Sequence, residues 1–167
     1  MKKISVVVLA LLVLAIPAFA QKIGYVDLQR ALNNSAAGAA AKQLMSEQVK
    51  KYEAEFTQKQ DEVMRMKTDL EKQASLLSDT ARAERERDYQ RRVTDLQRFQ
   101  KDIQEELQLK DSEYTSRIIN ELFDVLQQIG KDEGYTMVIE KNEGAVIFAD
   151  PSADLTDALI KAYDALQ

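Results

Sequence analysis

The sequence predicts an α+β protein in which a long antiparallel helical hairpin, a coiled-coil arm, projects from a small β body that is completed by oligomerisation. Three observations predict it. Residues 39–129 contain neither proline nor glycine and are crowded with Ala, Leu, Glu, Lys, Arg and Gln, the strong helix formers. Apolar residues there recur three and four apart, but in two frames that do not join. Short β-rich runs stand only at the ends, at 22–27, 135–140 and 145–149.

The first element in chain order is an address. Lys2 and Lys3 precede an apolar run from Ile4 to Ile16, and Pro17-Ala18-Phe19-Ala20 ends in small residues. This is the pattern of a secretory signal peptide over residues 1–20, cleaved after Ala20. The apolar run is short for a membrane span, and no cysteine follows to carry a lipid. Residues 21–167 are read as a single domain. Removal of the leader takes two lysines and no acid, leaving 21 basic against 28 acidic residues. Such a surface has no general attraction for nucleic acid.

The absence of Cys and His excludes further classes. No disulfide framework forms despite export. The usual zinc and copper ligands, the commonest general base and the Cys- and His-dependent triads are all missing. No metal or cofactor site and no catalytic residue is expected.

Lys22 to Asp27 reads as a strand, Leu28 to Leu32 as a helical start, and Asn33-Asn34-Ser35 as a cap or break. The arm spans about 36–133. Its first half keeps Val49, Phe56, Val63, Leu70 and Leu77 seven apart, with Met45, Tyr52 and Met66 in the second seam position and polar breaks at Lys59 and Gln73. Its second half keeps Tyr89, Val93, Leu96, Ile103, Leu107 and Tyr114, broken at Gln100 and Lys110, and then shifts to Ile118, Leu122, Val125 and Ile129. Continuing the first frame past Leu77 would put Glu84, Arg87, Arg91 and Arg98 on the seam, so a continuous rod would bury them at prohibitive cost. The chain therefore reverses near 78, with Ser78 capping the second helix and Asp79 in its positive first turn. Folding back there brings Leu70 toward Tyr89, Val63 toward Val93 and Leu96, and Phe56 toward Ile103. A narrow, broken seam makes a loose arm.

Gly134 follows the last helical turn, where a left-handed residue is expected. Tyr135–Glu140 and Ala145–Ala149 read as strands of a hairpin turning at Lys141-Asn142-Glu143-Gly144. Asp150-Pro151-Ser152 closes it, and a helix follows over 156–166. Three short strands make no independent core. Val138, Ile139, Val146, Ile147 and Phe148 nonetheless present apolar side chains on both faces. One face can be covered by the helices. The other is expected to meet a second copy of the chain, and Ile23, Tyr25 and Val26 join these residues as the oligomer body.

Three runs together carry a resemblance: Lys22-Ile23-Gly24-Tyr25-Val26-Asp27-Leu28-Gln29-Arg30-Ala31-Leu32, Gly134-Tyr135-Thr136-Met137-Val138-Ile139-Glu140-Lys141-Asn142, and Ala149-Asp150-Pro151-Ser152-Ala153-Asp154-Leu155-Thr156-Asp157. In this order, around a helical hairpin, the chain resembles the Skp (OmpH) family of periplasmic chaperones. The resemblance implies a homotrimer whose strands form a central β body, with three arms around a cavity. That cavity holds unfolded outer-membrane β-barrel proteins without ATP. It implies a periplasmic location. The best-known members are strongly basic, whereas this chain is acidic. Arg82, Arg85, Arg87, Arg91, Arg92 and Arg98 near the tip are offset by Glu84, Glu86, Asp88 and Asp95. Lipopolysaccharide or a membrane surface is therefore not carried over as a partner, and client capture leans on apolar contact. Met64, beside the seam, and Leu76 and Leu77, near the tip, are the candidate client contacts. For each the competing role is packing within the hairpin. The carboxylate pairs Asp61-Glu62 and Glu105-Glu106 point apart on a helix surface and suggest no acid–base chemistry.

Overall fold

The computed structural model describes residues 21–73, 75–142 and 146–167. The leader at 1–20, Ala74, and residues 143–145, the end of the expected turn and the first residue of the expected second strand, lie outside the described residues. In chain order the elements are β1 (Ile23–Val26), α1 (Leu28–Asn34), α2 (Ala36–Gln73), α3 (Asp79–Asp132), β2 (Met137–Glu140), a 3-10 turn (Pro151–Ala153) and α4 (Thr156–Asp164).

Local chemistry sets the starts of α1, α2 and α3 and the end of α3. Asp27 accepts from the Arg30 N–H at 2.7 Å and so caps α1. Ser35 separates α1 from α2: its hydroxyl donates to the Leu32 carbonyl at 3.2 Å and accepts from the Gly38 N–H at 3.1 Å. At the arm tip the N–H groups of Leu76 and Leu77 both reach the Gln73 carbonyl, and the Ser78 side chain accepts from Ala81 N–H at 3.3 Å to start α3. Asp79 lies in the first turn, where the helix dipole favours an acid. Gln73, a polar break in the seam, earns its place by accepting a 2.7 Å hydrogen bond from Arg85 across the turn. At the other end of α3, Gly134 has φ +70°, with Tyr135 N–H bonded to Gly130 and Gly134 N–H to Lys131, a Schellman termination.

The two strands pair in parallel, with Ile23 opposite Met137 and Tyr25 opposite Ile139. A parallel pair needs a long crossover, and here the whole helical hairpin is that crossover. The other edge of β1 is occupied by Asp154, and Leu155 N–H donates to the Tyr25 carbonyl at 2.9 Å.

Among the described residues one core forms, at the foot of the arm. Val26, Leu28, Ala31, Leu32, Ile118, Leu122, Leu126, Leu155, Leu159 and Tyr163 form it. Among the described residues none from Ala39 to Arg117 is fully buried. The arm is thus two helices sharing a half-wet seam.

Two expectations need correction. Residues 146–149 form no strand, and Ile147 and Phe148 are 96% and 91% exposed. An apolar run has strand character by composition, but a strand exists only where another backbone satisfies its N–H and C=O groups. Among the described residues these find no such partner. Val26, placed with the oligomer body, instead faces inward and is 1% exposed within the chain's own core. The pleat turns Val26 into the core and Gly24 toward Leu155 and Tyr135, while Ile23 and Tyr25 face away.

Candidate functional site

The arm and the outward face of the body are the two surfaces with functional character. Along α2 the seam is a half-buried stripe of Met45, Val49, Tyr52, Phe56, Lys59, Val63, Met66, Leu70 and Gln73, spaced three or four apart, which Leu77 continues in the turn beyond the helix. On α3 the matching set is Tyr89, Val93, Leu96, Phe99, Ile103, Leu107, Lys110 and Tyr114. Phe99, not Gln100, takes the mid-arm seam position. It meets Tyr52 edge-on with centroids 6.4 Å apart, and Lys59 places its ammonium 4.9 Å from the same ring. A strict alternation of threes and fours steps over Phe99; the presence of an aromatic ring one residue away was the available signal. Phe56 and Ile103 line one groove with Val49 and Leu107. Farther out, Glu62 and Arg92 pair across the seam at 3.1 Å.

Met64 lies off this seam and is 59% exposed, and Leu76 at the tip is exposed as well. Leu77 is half-buried and closes the turn. Met66 also packs toward the seam, beside Glu62 and Arg92. The tip arginines are largely engaged: Arg82 with Glu86, Arg91 with Asp88, Arg92 with Glu62, and Arg85 with Gln73. The adjacent acids are held as separate helix-surface partners, Glu105 by Lys101 at 3.3 Å and Glu106 by Lys110 at 3.8 Å. Among the described residues no acidic side chains gather into a metal-binding group, and no helix is long and apolar enough to cross a membrane.

In the body, Ile23, Tyr25, Met137 and Ile139 share the outward face of the paired strands, and Ile23 and Met137 are both well exposed. Val138 points the other way and packs against the core. Ile139 and Val146 are half-buried, and Ile147 and Phe148 project into solvent.

Behind this face, the two ends of the chain are tied by polar side chains. Asp27 N–H donates to the Thr156 hydroxyl at 2.9 Å, and that hydroxyl donates to Asp154 at 2.5 Å. Arg30 reaches Asp154 at 3.3 Å and Asp157 at 3.0 Å. Burial pushes the Asp154 carboxyl up, but the Thr156 hydroxyl and N–H, with Arg30, outweigh it and hold the group below its ordinary value. The motif residues near the start and near the end are therefore halves of one clasp. Its work is to fix the body.

This architecture has counterparts. A family model described as outer membrane protein (OmpH-like) matches residues 22–163. A crystal structure of a candidate outer membrane chaperone (OmpH-like) from Caulobacter crescentus superposes with a TM-score of 0.83 at 22% identity, covering 89% of this chain and 86% of that one. No curated protein matches the chain.

Proposed function

The chain belongs to the OmpH-like family, and from that premise we propose that it is a periplasmic, ATP-independent holdase that keeps unfolded outer-membrane β-barrel proteins from aggregating in a cavity between helical arms. In this reading residues 1–20 are removed after Ala20, and residues 21–167 assemble as a homotrimer through the β body.

One observation carries the reading: a long arm with no fully buried residue between Ala39 and Arg117 among those described, anchored on a compact core. Such an arm can splay and re-pack around clients of different size, since few buried contacts hold it in one arrangement. Exposed Met64 and Leu76 supply apolar contact on it. The nearly bare Ile147 and Phe148 support assembly through the body, because a monomer gains nothing from exposing them. The acidic balance argues against phosphate-rich surfaces as a primary partner.

The test is native mass spectrometry of residues 21–167 mixed with a urea-denatured outer-membrane β-barrel on dilution. A three-copy species holding a client, with aggregation suppressed, is expected. A stable oligomer that ignores the unfolded barrel would point instead to an exported coiled-coil spacer with a folded envelope partner.

A further inference from the structure

At the root of the arm, where α1, α2 and α3 meet, lies a cleft of about 430 Å³. We infer that it is a side-chain socket for an aromatic residue of an extended, unfolded peptide; this deepens the holdase reading and rests on it. Leu32 and Ile118 reach the cleft from the buried core, and Met45 and Tyr114 bring a thioether and an aromatic ring. Both favour an aromatic partner, through sulfur–ring and ring–ring contact. Arg117 sits 5.4 Å from the Tyr114 ring centroid.

The rim decides the class of occupant. Lys42 of α2 and Asp111 of α3 both line the cleft, yet among the described residues they form no ion pair with each other or with another side chain. Lys42 reaches only the Asn33 carbonyl, at 3.5 Å. A rim with one cation and one anion suits a neutral group that offers both an acceptor and a donor. The C=O and N–H of an extended backbone offer both. An anionic headgroup would face Asp111, and an acyl chain would make no use of either charge. The volume lies toward the lower end of the roughly 300–1,000 Å³ range of ligand clefts. It therefore suits one large side chain with its flanking backbone. Such a socket at each arm root would add to weak contacts along the arms by raising their effective concentration.

Methyl NMR of the methionine-labelled protein tests this, with two neutral unstructured peptides that differ only in one Phe replaced by Ala. The Met45 methyl should shift saturably with the Phe peptide and bind the Ala peptide roughly tenfold more weakly. Ala41→Leu, which fills the cleft from α2, should weaken the Phe peptide by a similar factor. Lys42→Gln with Asp111→Asn, both on the exposed rim, should weaken it several-fold with the fold intact. Equal response to the two peptides would overturn the socket, as would a silent Met45 while Met64 responds. A Met45 shift that follows protein concentration without peptide would make the cleft an interface between copies and overturn it too. Loss of barrel retention in mass spectrometry, with the Met45 response preserved, would overturn the holdase reading and leave the socket standing.

Discussion

Tyr163, 1% exposed on α4, donates its phenolic hydrogen bond to the Glu121 carboxylate on α3. This contact joins the terminal helix to the arm root. Burial, and then the bond to Glu121, push the phenol well above its ordinary value of 10.0. A raised folded-state value means that folding favours the protonated phenol. The stability it contributes is complete below about pH 10 and is lost as pH climbs from there toward the folded-state value. The urea midpoint should therefore fall above about pH 10, and Tyr163→Phe should flatten that fall. At neutral pH the variant should cost about 1–2 kcal/mol, since Glu121 loses its donor. Equal alkaline slopes in the two proteins would assign the fall elsewhere.

Two helical glycines should respond to alanine with opposite sign. At Gly38 a Cβ would stand 1.8 Å from the Leu32 carbonyl oxygen, a backbone atom that cannot yield without opening the α1–α2 corner. Gly38→Ala should destabilise by about 1–3 kcal/mol or more. At Gly130 nothing lies within 4 Å, so Gly130→Ala should stabilise by about 0.4–1 kcal/mol by reducing the freedom of the unfolded chain. Thermal melts of the pair at equal concentration decide both signs.

Amide exchange should divide the molecule. Amides of the arm, with its half-wet seam, should exchange well before those around Leu122 and Leu159. Ser78→Ala should cost about 1 kcal/mol of protection in the first turns of α3. Phe99→Ala should cost about 1–2 kcal/mol across mid-arm, less than a fully buried Phe, because the ring is only half-buried. Arg92→Ala, which breaks the exposed pair with Glu62, should cost under about 1 kcal/mol. Uniform protection along the chain would contradict the division.

Assembly should depend on residues that the single chain leaves bare. Phe148→Asp places a charge where an apolar contact between copies is proposed. It should shift sedimentation from oligomer toward monomer while the helical content of each chain is kept. An unchanged sedimentation coefficient would remove Phe148 from the interface.

Client retention should fall in Met64→Gln with no change in melting temperature, because Met64 lies off the seam and is mostly exposed. The loss should be about fivefold or less if several arm contacts share the work, since a single partly exposed methionine contributes about 1 kcal/mol or less. Light scattering of a diluted unfolded barrel, with and without the variant, reads it directly. Unchanged retention would remove Met64 from the client surface.

The arm was legible because its signals are local. Heptad spacing, the frame break after Leu77, Ser78 as a cap and Gly134 as a left-handed stop each involve residues a few positions apart. Even the polar seam positions Lys59, Gln73 and Lys110 could be read from periodicity. Phe99 could not, because the choice between Phe99 and Gln100 depends on where the opposing Tyr52 stands.

The body was legible only in part. That the first strand meets the one after the hairpin followed from the arm's return to its origin. The partners of Asp27 and Arg30 did not: Thr156, Asp154 and Asp157 lie at the far end of the chain, and no spacing rule links them. Residues 146–149 look like a strand from composition alone, yet composition cannot say whether a neighbouring backbone is available to pair with them.

By itself, then, the sequence determined the helical hairpin, its turn and its caps, because those depend on interactions within a turn or two of helix. Tertiary structure alone decided that Val26 faces the core while Ile147 and Phe148 face solvent, and that Arg30 reaches Asp154. Burial and pairing are properties of what stands opposite a residue, and for Arg30 the opposite residue, Asp154, is 124 positions away along the chain.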